Sequence, residues 1–473
     1  MVRSSQSKRP SKAPKGSAAH PSADERAAIG KALREVVPRA SQAEWKPYTG
    51  RRDPVELTLA SDKGRMKDLV PIRHGRMSAS AFAFYRGSAA LMAADLSRTP
   101  TSGIKVQACG DAHLMNFGGF ATPERNVIFD INDFDETLPA PFEWDLKRLA
   151  VSAMIAAQHL TLPGSEAARV ARGVAREYRE SMRTYATMRA RDVWYDRIDL
   201  QRYQDRGGDS KSVASVRAAS ERLIKEAKRR TAPEHQLPKL VSRAGARITI
   251  KDAPPLIFHP TAETAPGMEF GYANAIAAYR KALPAHVRVL FDRFKFRDLA
   301  MKVVGVGSVG TQCYVGLFMA ADNDPLFLQI KEARRSVLEP YAGRSEHSNQ
   351  GQRVVEGQRL MQSASDAFLG WARGKNKRDF YLRQLMDMKV SASLEEMDAE
   401  MLHQYARMCG HALALAHARS GDAAMIAGYL GSGPAFDDAI GEFAFEYAGQ
   451  NAADYRGLVK AIKAGRITVR SDR

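Results

Sequence analysis

The chain has 473 residues, of which 44% are hydrophobic and 26% charged, and a formal net charge of +18. It contains no apolar run of the roughly 18–20 residues needed to cross a bilayer, and no apolar core follows the basic N-terminus, so neither a membrane span nor a secretory signal is expected. The three scattered cysteines argue against a disulfide framework or a thiolate zinc site, and they fit a cytoplasmic protein. The positive charge suggests an anionic partner, either nucleic acid or a phosphorylated small molecule.

The first half of the chain is predicted to be mainly helical around a short β region. Residues 1–25 are rich in Ser, Pro and Lys and predict a disordered basic tail. Helices are expected at 25–40 and, as a strong Ala-rich helix, at 78–98. The stretch "IKVQACGDAH" then predicts a strand that runs into a loop, and "FGGFATPERNVIFDIND" predicts strand, turn and strand. A helix entered through prolines follows at "PFEWDLKRLA".

The second half of the chain is predicted to begin with helices and to continue with a second β region. Residues 164–235 are predicted to be mostly helical, with a basic helix at 215–230, and a further helix is expected at 272–292. The segment "MKVVGVGSVGTQCYVGLFMA" predicts a strand, a glycine-rich turn and a second strand, and "LFLQIKEA" predicts a third. A helix, a strand at "DFYLRQLMDMK" and a long helix ending in "AHARSG" follow.

Polar residues of the first β region form a candidate site for phosphoryl transfer from ATP. Asp111 can take or orient the proton of an attacking hydroxyl, and Asn116 and Asp133 offer the hard oxygen ligands that Mg²⁺ prefers. A hairpin between them would bring these oxygens together. The simpler interpretation is a set of Asp and Asn residues that form turns, and a zinc site at His113 is weaker because no second histidine lies at ligand spacing.

A second candidate site lies about 190 residues later in the chain. The glycines of "GVGSVG", Gly305, Gly307 and Gly310, match a phosphate-covering turn, and a strand rather than a helix follows them, which favours a kinase-type hairpin over a dinucleotide-binding turn. Lys331 on the third strand is the candidate phosphate contact, with an exposed edge lysine as the alternative. Glu356 is the expected ion-pair partner of Lys331; Glu332 and Glu339 are alternatives for that partner.

The motif "CGDAHLMN" resembles the catalytic loop of aminoglycoside phosphotransferases and related small-molecule kinases. The resemblance implies that Asp111 is the catalytic aspartate and Asn116 a magnesium ligand. In "NDFDETLPAPFEWDLKRLA", which is similar to the following Asp-Phe segment of that family, Asp133 corresponds to the second metal ligand and Asp145 to a structural aspartate. Asp130 is an alternative metal ligand, since the hairpin is longer than usual for the family.

In ordinary kinases the glycine turn and the lysine precede the catalytic loop, whereas here they follow it. The sequence therefore predicts an α+β, two-lobed protein-kinase-like fold that is circularly permuted, because only the meeting of the groups in space is required. The expected units are a disordered tail (1–25), a helical lobe with the catalytic and metal-binding loops (26–289), a β-rich nucleotide lobe (290–392) and C-terminal helices that pack back on the helical lobe (393–473).

From about residue 50 the chain also closely resembles a bacterial family, domain of unknown function 2252, in motifs such as "FYRGSAALMAADL", "FDINDFDETLPAPFEWDLKRLA" and "QGQRVVEGQRLMQSASD". This resemblance implies no activity. The expected function is phosphoryl transfer from ATP and magnesium to a hydroxyl of an unknown small molecule or protein. The alternatives are nucleotidyl transfer or a pseudokinase on the same scaffold, and a non-catalytic basic protein that binds nucleic acid, for which no recognisable motif is present.

Overall fold

The computed structural model describes residues 21–201, 221, 224–225, 240–244, 247–260, 272–321, 324–374, 377–385, 390 and 392–471. Residues 1–20 of the predicted tail, and most of the predicted basic helix 215–230, lie outside these ranges. The last part of the predicted tail is helical instead: the Ser22 side chain accepts a hydrogen bond from the backbone N–H of Glu25 and caps a helix that begins at Ala23.

The described chain is a mixed α+β protein, which confirms the predicted fold class at this level. Its helices are α1 Ala23–Val36, α2 Pro54–Ser61, α3 Val70–Met77, α4 Ala81–Gly87, α5 Ala89–Leu96, α6 Phe142–His159, α7 Gly164–Thr187, α8 Ala190–Tyr195, α9 Tyr272–Ala282, α10 Ala285–Phe291, α11 Glu339–Ala342, α12 Gln350–Met361, α13 Ala399–Ser420, α14 Ala423–Leu430 and α15 Ala435–Lys463. Its strands are β1 Lys105–Ala108, β2 Phe117–Ala121, β3 Val127–Ile131, β4 Leu138–Pro141, β5 Ile198–Asp199, β6 Val241–Ala244, β7 Arg247–Ile250, β8 Ile257–Phe258, β9 Lys295–Lys302, β10 Cys313–Ala321, β11 Asp324–Ala333, β12 Gly370–Arg373 and β13 Asp379–Gln384.

Helix α6 is the centre of the helical part. Every residue from Phe142 to Ala157 is buried, because α4, α7, α13 and α15 all pack around it. This explains why its sequence is apolar on more than one face. The polar residues that α6 does carry are therefore buried as well, and they have to find partners inside the protein.

The predicted strands around the glycine turn are confirmed. They form a six-stranded antiparallel sheet in the order β12-β13-β11-β10-β9-β8. Tyr314, Ile330 and Leu382 are in register on one face, which packs against α9 and α10. The opposite face carries Lys331, directly between its register partners on β10 and β13. Because strand residues alternate between faces, Lys331 points away from the apolar core of its own lobe.

Two further pairs of strands lie beside this sheet. Strands β2 and β3 form the predicted antiparallel hairpin, and β1 pairs with β4. The connection between β3 and β4, residues 132–137, contains three acidic residues and is called the acidic loop below. Helix α12 lies between β11 and β12 in the chain, and it packs on both strands and on α13 of the helical part.

Two helices that the sequence predicts as single elements are divided. The stretch 78–98 forms α4 and α5, with a break at Gly87–Ser88, where Ser88 leaves the helical region at φ −114° and ψ 35°. A Cβ at Gly87 would lie 2.7 Å from the Met77 side chain, so the close approach requires glycine. The stretch 272–292 is divided at Pro284, which precedes α10.

Within the described residues, no helix combines the length and the apolar character that a membrane crossing requires.

Candidate functional site

A cavity of about 100 Å³ lies between the helical part and the six-stranded sheet. Both candidate sites contribute to its wall. From the first come Asp111, Asn116 and Asp133, which are joined by Asp135 and Glu136 of the acidic loop, and from the second come Gly305 and Gly307 with Val306 and Ser308 between and beside them. Residues separated by about 190 positions in the sequence thus surround one space, as the permuted arrangement requires.

The loop that carries Asp111 is held in place by Asp145 at the start of α6. The Asp145 carboxylate accepts hydrogen bonds from the backbone N–H groups of Cys109 (2.7 Å) and Gly110 (2.9 Å). Gly110 has φ +80°, and a Cβ there would lie 2.5 Å from the backbone oxygen of Glu136. The glycine and the buried carboxylate together fix the path of the chain into Asp111, in agreement with the structural role predicted for Asp145.

The Asp111 carboxylate is paired with an arginine that sequence reasoning did not identify. Arg148, three residues after Asp145, donates from Nε to Asp111 Oδ1 at 2.6 Å, and its Nη2 contacts the same oxygen. The Arg148 guanidinium lies over the ring of Tyr85, with Cζ 4.4 Å from the ring centroid. Burial raises the pKa of Asp111, and the charge of Arg148 opposes this effect without cancelling it, so the pKa remains above its ordinary value.

Asn116 and Asp133 are brought together by the β2–β3 hairpin, as predicted. Asn116 lies immediately before β2 and Asp133 two residues after β3, and the backbone N–H of Asn132 donates to the Asn116 carbonyl at 2.7 Å. The Asn116 side-chain nitrogen donates to the Asp111 carbonyl at 2.7 Å. This leaves its side-chain oxygen as the atom able to ligate a cation.

Lys331 reaches the acidic loop across 198 positions of sequence. Its Nζ lies 3.5 Å from Asp133 Oδ2 and 2.5 Å from Asp135 Oδ2. The lysine side chain is only 4% exposed, which excludes the alternative of an exposed edge lysine. Burial lowers the pKa of Lys331, but the charges of Asp133 and Asp135 outweigh it, so its pKa lies well above the ordinary value.

The predicted partner of Lys331 is wrong. Glu356 lies on the exposed side of α12, where its carboxylate contacts Arg359 at 3.4 Å. Glu332 instead pairs with Arg378 at 2.5 Å, so neither it nor Glu356 holds the lysine. Asp135, which the sequence did not single out, takes this place, and the Tyr381 hydroxyl donates to its other oxygen at 2.7 Å.

Asp130, the alternative metal ligand, does not reach the cavity. One of its oxygens accepts from the backbone N–H of Ile131 at 2.8 Å. The other accepts from the N–H and the hydroxyl of Ser363, at 2.9 and 2.8 Å. Because Asp130 lies within β3 and Asp133 beyond its end, the pleat directs Asp130 toward the segment that follows α12. Of the two candidates, the structure brings only Asp133 to Asp111 and Asn116.

The glycine turn (residues 305–310) connects β9 to β10 and forms the wall opposite the acidic residues. Gly305 and Gly310 have φ +65° and +84°, conformations that other residues adopt only with strain. The turn is hydrogen-bonded to the N-terminal part of the chain, by Arg65 between α2 and α3 and by Arg76 in α3. Arg65 donates to the Val309 carbonyl at 2.6 Å, and Arg76 donates to the Gly305 carbonyl.

Two arginines of the β-rich part donate hydrogen bonds to the backbone of the acidic loop. Arg353 donates to the carbonyls of Thr137 (2.6 Å) and Asp135 (2.8 Å), and Arg383 donates to the Asn132 carbonyl at 2.9 Å. Both arginines therefore position the backbone that carries Asp133. Glu136 lies in the same loop, and burial raises its pKa to about 7.

Arg86, at the end of α4, and His113 also line the cavity, and neither was predicted as a site residue. Among the residues that the structure describes, neither the Nε atom of Arg86 nor the Nδ1 atom of His113 has a hydrogen-bond partner, and both atoms are buried. Burial and the nearby charges of Arg86 and Arg148 keep the pKa of His113 well below its ordinary value, so the ring is neutral. Arg86 lies in the motif "FYRGSAALMAADL", whose helical periodicity gave no sign of a functional role.

The oxygen donors of the cavity suit magnesium, which also takes phosphate and water ligands, better than a metal ion whose ligands are all protein side chains. In the described part of the chain, no group of three or more His, Cys, Asp or Glu side chains is arranged to hold a metal ion. Magnesium commonly takes one or two protein carboxylates and completes its shell with phosphate oxygens and water. The oxygens of Asn116 and Asp133 are of that kind and number, and both residues line the cavity.

Comparison with known proteins gives one match. The family model described as "Uncharacterized protein conserved in bacteria", domain of unknown function 2252, matches residues 65–461. No curated protein and no solved structure matches the chain. The matched region includes the whole cavity, from Arg86 to the glycine turn.

Proposed function

The chain belongs to the bacterial family domain of unknown function 2252, and from the residues of its cavity we propose that it is an ATP-dependent phosphotransferase with a circularly permuted, protein-kinase-like arrangement. The acceptor is a hydroxyl group. The observation that carries the proposal is the approach of Lys331 to Asp133, at 3.5 Å, because Asp133 lines one cavity together with Asp111, Asn116 and residues 305–308 of the glycine turn.

Each residue has a role that its position supports. Asp111 lies at the end of the cavity fixed by α6, where its carboxylate can accept the proton of the attacking hydroxyl. Its raised pKa moves it toward the range in which a carboxylate is an effective base. Asn116 and Asp133 hold a magnesium ion, which when bound neutralises charge on the phosphates. Gly305 and Gly307 allow the backbone of the turn to lie close to phosphate oxygens.

Lys331 supplies the fixed positive charge of the site. The charges of Asp133 and Asp135 raise its pKa against the effect of burial and so keep the amine protonated. In the proposed complex, the amine contacts nucleotide phosphates while it remains beside the acidic loop. The transferred group moves from the bridging oxygen of ADP to the acceptor oxygen, and the acceptor proton passes to Asp111.

The arrangement of the elements supports the proposal independently of the side chains. The hairpin β9–β10 with its glycine turn, the lysine on β11 and the helix α12 follow one another in the order expected for a kinase nucleotide lobe. The loop with Asp111 and the hairpin with Asp133 precede them in the chain. Protein folds tolerate such permutation when the joined ends lie close together.

Thermal unfolding with ATP and MgCl₂ tests the nucleotide site. A ligand at 100 times its Kd stabilises the folded state by about 2.7 kcal/mol, so the wild-type Tm should rise measurably. Asp133→Asn should remove the part of the shift that depends on magnesium, and Lys331→Met should remove most of the shift with ATP. Lys281→Ala, on the exposed side of α9, is the matched control and should behave as wild type.

An unchanged wild-type Tm at millimolar ATP and MgCl₂ would contradict the proposal. If ATP binds, label transfer identifies the reaction. Phosphoryl transfer moves a label from the γ-phosphate to the acceptor or to water, whereas nucleotidyl transfer moves a label from the α-phosphate. A protein that binds ATP but transfers neither label is a pseudokinase.

A further inference from the structure

Arg86 is a half-buried cation of the cavity wall that has no anionic partner among the described residues. Its Nε is shielded from solvent and makes no hydrogen bond, and in the described part of the chain no carboxylate forms an ion pair with it. Burial lowers its pKa, and the more distant charges of Asp111 and Glu395 only partly oppose this effect. An unpaired charge that is partly removed from water does not stabilise the folded protein, so its position calls for a reason other than stability.

The other arginines around the cavity show what a structural arginine does in this protein. Arg148 is paired with Asp111, and Arg383 and Arg353 donate to carbonyls of the acidic loop. Each of these guanidinium groups has its donors engaged inside the protein. Arg86 differs from all three, since its side chain lines the cavity and, among the described residues, its Nε has no hydrogen-bond acceptor.

The backbone places Arg86 at a defined point of the cavity. Helix α4 ends at Gly87, one residue after Arg86, where the break before α5 begins. The backbone oxygen of Arg86 lies 3.7 Å from the position that a Cβ atom on Gly307 would occupy. Arg86 thus lies against the glycine turn, within electrostatic reach of Asp111. In the proposed site the turn covers phosphates and Asp111 faces the acceptor hydroxyl, so the group between them is the one that is transferred.

We propose that Arg86 is a catalytic residue that binds the terminal phosphoryl group of the nucleotide, an inference that rests on the proposed function. A guanidinium group at that point donates two hydrogen bonds to equatorial phosphoryl oxygens and stabilises the charge that develops on them. Its planar fork suits this task better than an ammonium group does. Arg86 is supplied by the same chain, so the site is complete without a partner protein.

Titration of Arg86→Gln with ATP and with ADP, each with MgCl₂, tests the inference. Only ATP has the terminal group, so ATP affinity should fall at least about tenfold, as expected for a lost charge-assisted bond, and ADP affinity should change less than about threefold. Without ligand, the Tm of the variant should equal or exceed that of wild type, because within the described residues Arg86 makes no ion pair and its Nε makes no hydrogen bond. Arg86→Lys should retain part of the preference for ATP.

Arg172→Gln is the matched control, since Arg172 pairs with Asp438 on the exposed face of α7 and lies outside the cavity. Equal losses of ATP and ADP affinity in Arg86→Gln, or no loss of either, would overturn the role of Arg86 while the nucleotide site stands. A wild-type protein that binds neither nucleotide would overturn the proposed function and this inference with it.

Discussion

Replacing Asp111 by alanine should destabilise the protein strongly, quite apart from any effect on catalysis. The change leaves the guanidinium of Arg148, which is only 2% exposed, without its counter-ion. Its remaining contacts are the Tyr85 carbonyl at 3.1 Å, the Met92 sulfur at 3.4 Å and the Tyr85 ring. None of these neutralises the charge.

Breaking a buried ion pair by removing one partner costs about 3–5 kcal/mol. Asp111 is 21% exposed toward the cavity, so water can reach part of the vacated space and the lower end of that range applies. A loss of about 3 kcal/mol lowers the ratio of folded to unfolded protein roughly 100-fold. Urea denaturation followed by circular dichroism measures this loss, and Asp111→Asn, which keeps an acceptor oxygen for Arg148, should lose less.

The double variant Asp111→Ala, Arg148→Met makes the test specific. Methionine removes the unpaired charge and fills much of the same volume, so the double variant should recover more than half of the stability lost in Asp111→Ala. Simple addition of two separate losses would refute the claim that the ion pair dominates. Activity lost in Asp111→Ala can be assigned to chemistry only when the variant is shown to be folded.

Two further outcomes follow from the contacts. Glu356→Gln should leave the affinity for ATP within about twofold of wild type, because Glu356 pairs with Arg359 and not with Lys331. A tenfold loss of affinity in an ATP titration would instead support the original prediction that Glu356 pairs with Lys331. Asp62 accepts from Arg73 (2.7 Å) and His74 (2.8 Å), which lower its pKa in spite of burial. Its contribution to stability is therefore present above the unfolded pKa of about 4 and is lost as the pH falls through the lower folded pKa. The difference in urea midpoint between wild type and Asp62→Asn should shrink between about pH 6 and pH 2, and a constant difference would contradict this account.

The sequence predicted the β region well because its signals are local. Alternating apolar residues on both sides of a glycine turn specify β9 and β10, and the apolar strand that follows places Lys331 on a defined face. The same is true of Asn116 and Asp133, which the β2–β3 hairpin joins over a short distance. These elements could be predicted because the residues that specify each of them lie within about 20 positions of one another in the sequence.

The incorrect and missing assignments depend on packing between distant elements. Periodicity places Glu356 on a helix but does not say which side of α12 faces the sheet, and the structure turns it toward Arg359. Arg148 and Arg86 lie in helices whose pattern is satisfied by apolar packing alone. Their positions at the cavity follow from how α4 and α6 dock, and α4 ends at Gly87, which packs against the Met77 side chain.

The separation of Asp133 and Lys331 by 198 positions also has a consequence for biosynthesis. At the usual rate of about 5–20 residues per second, roughly 10–40 s pass between the emergence of the two residues from the ribosome. During that interval the nascent polypeptide exposes a cluster of carboxylates whose neutralising amine has not yet been translated. The pocket can close only after the downstream sheet has been made, so its assembly belongs to a late stage of folding.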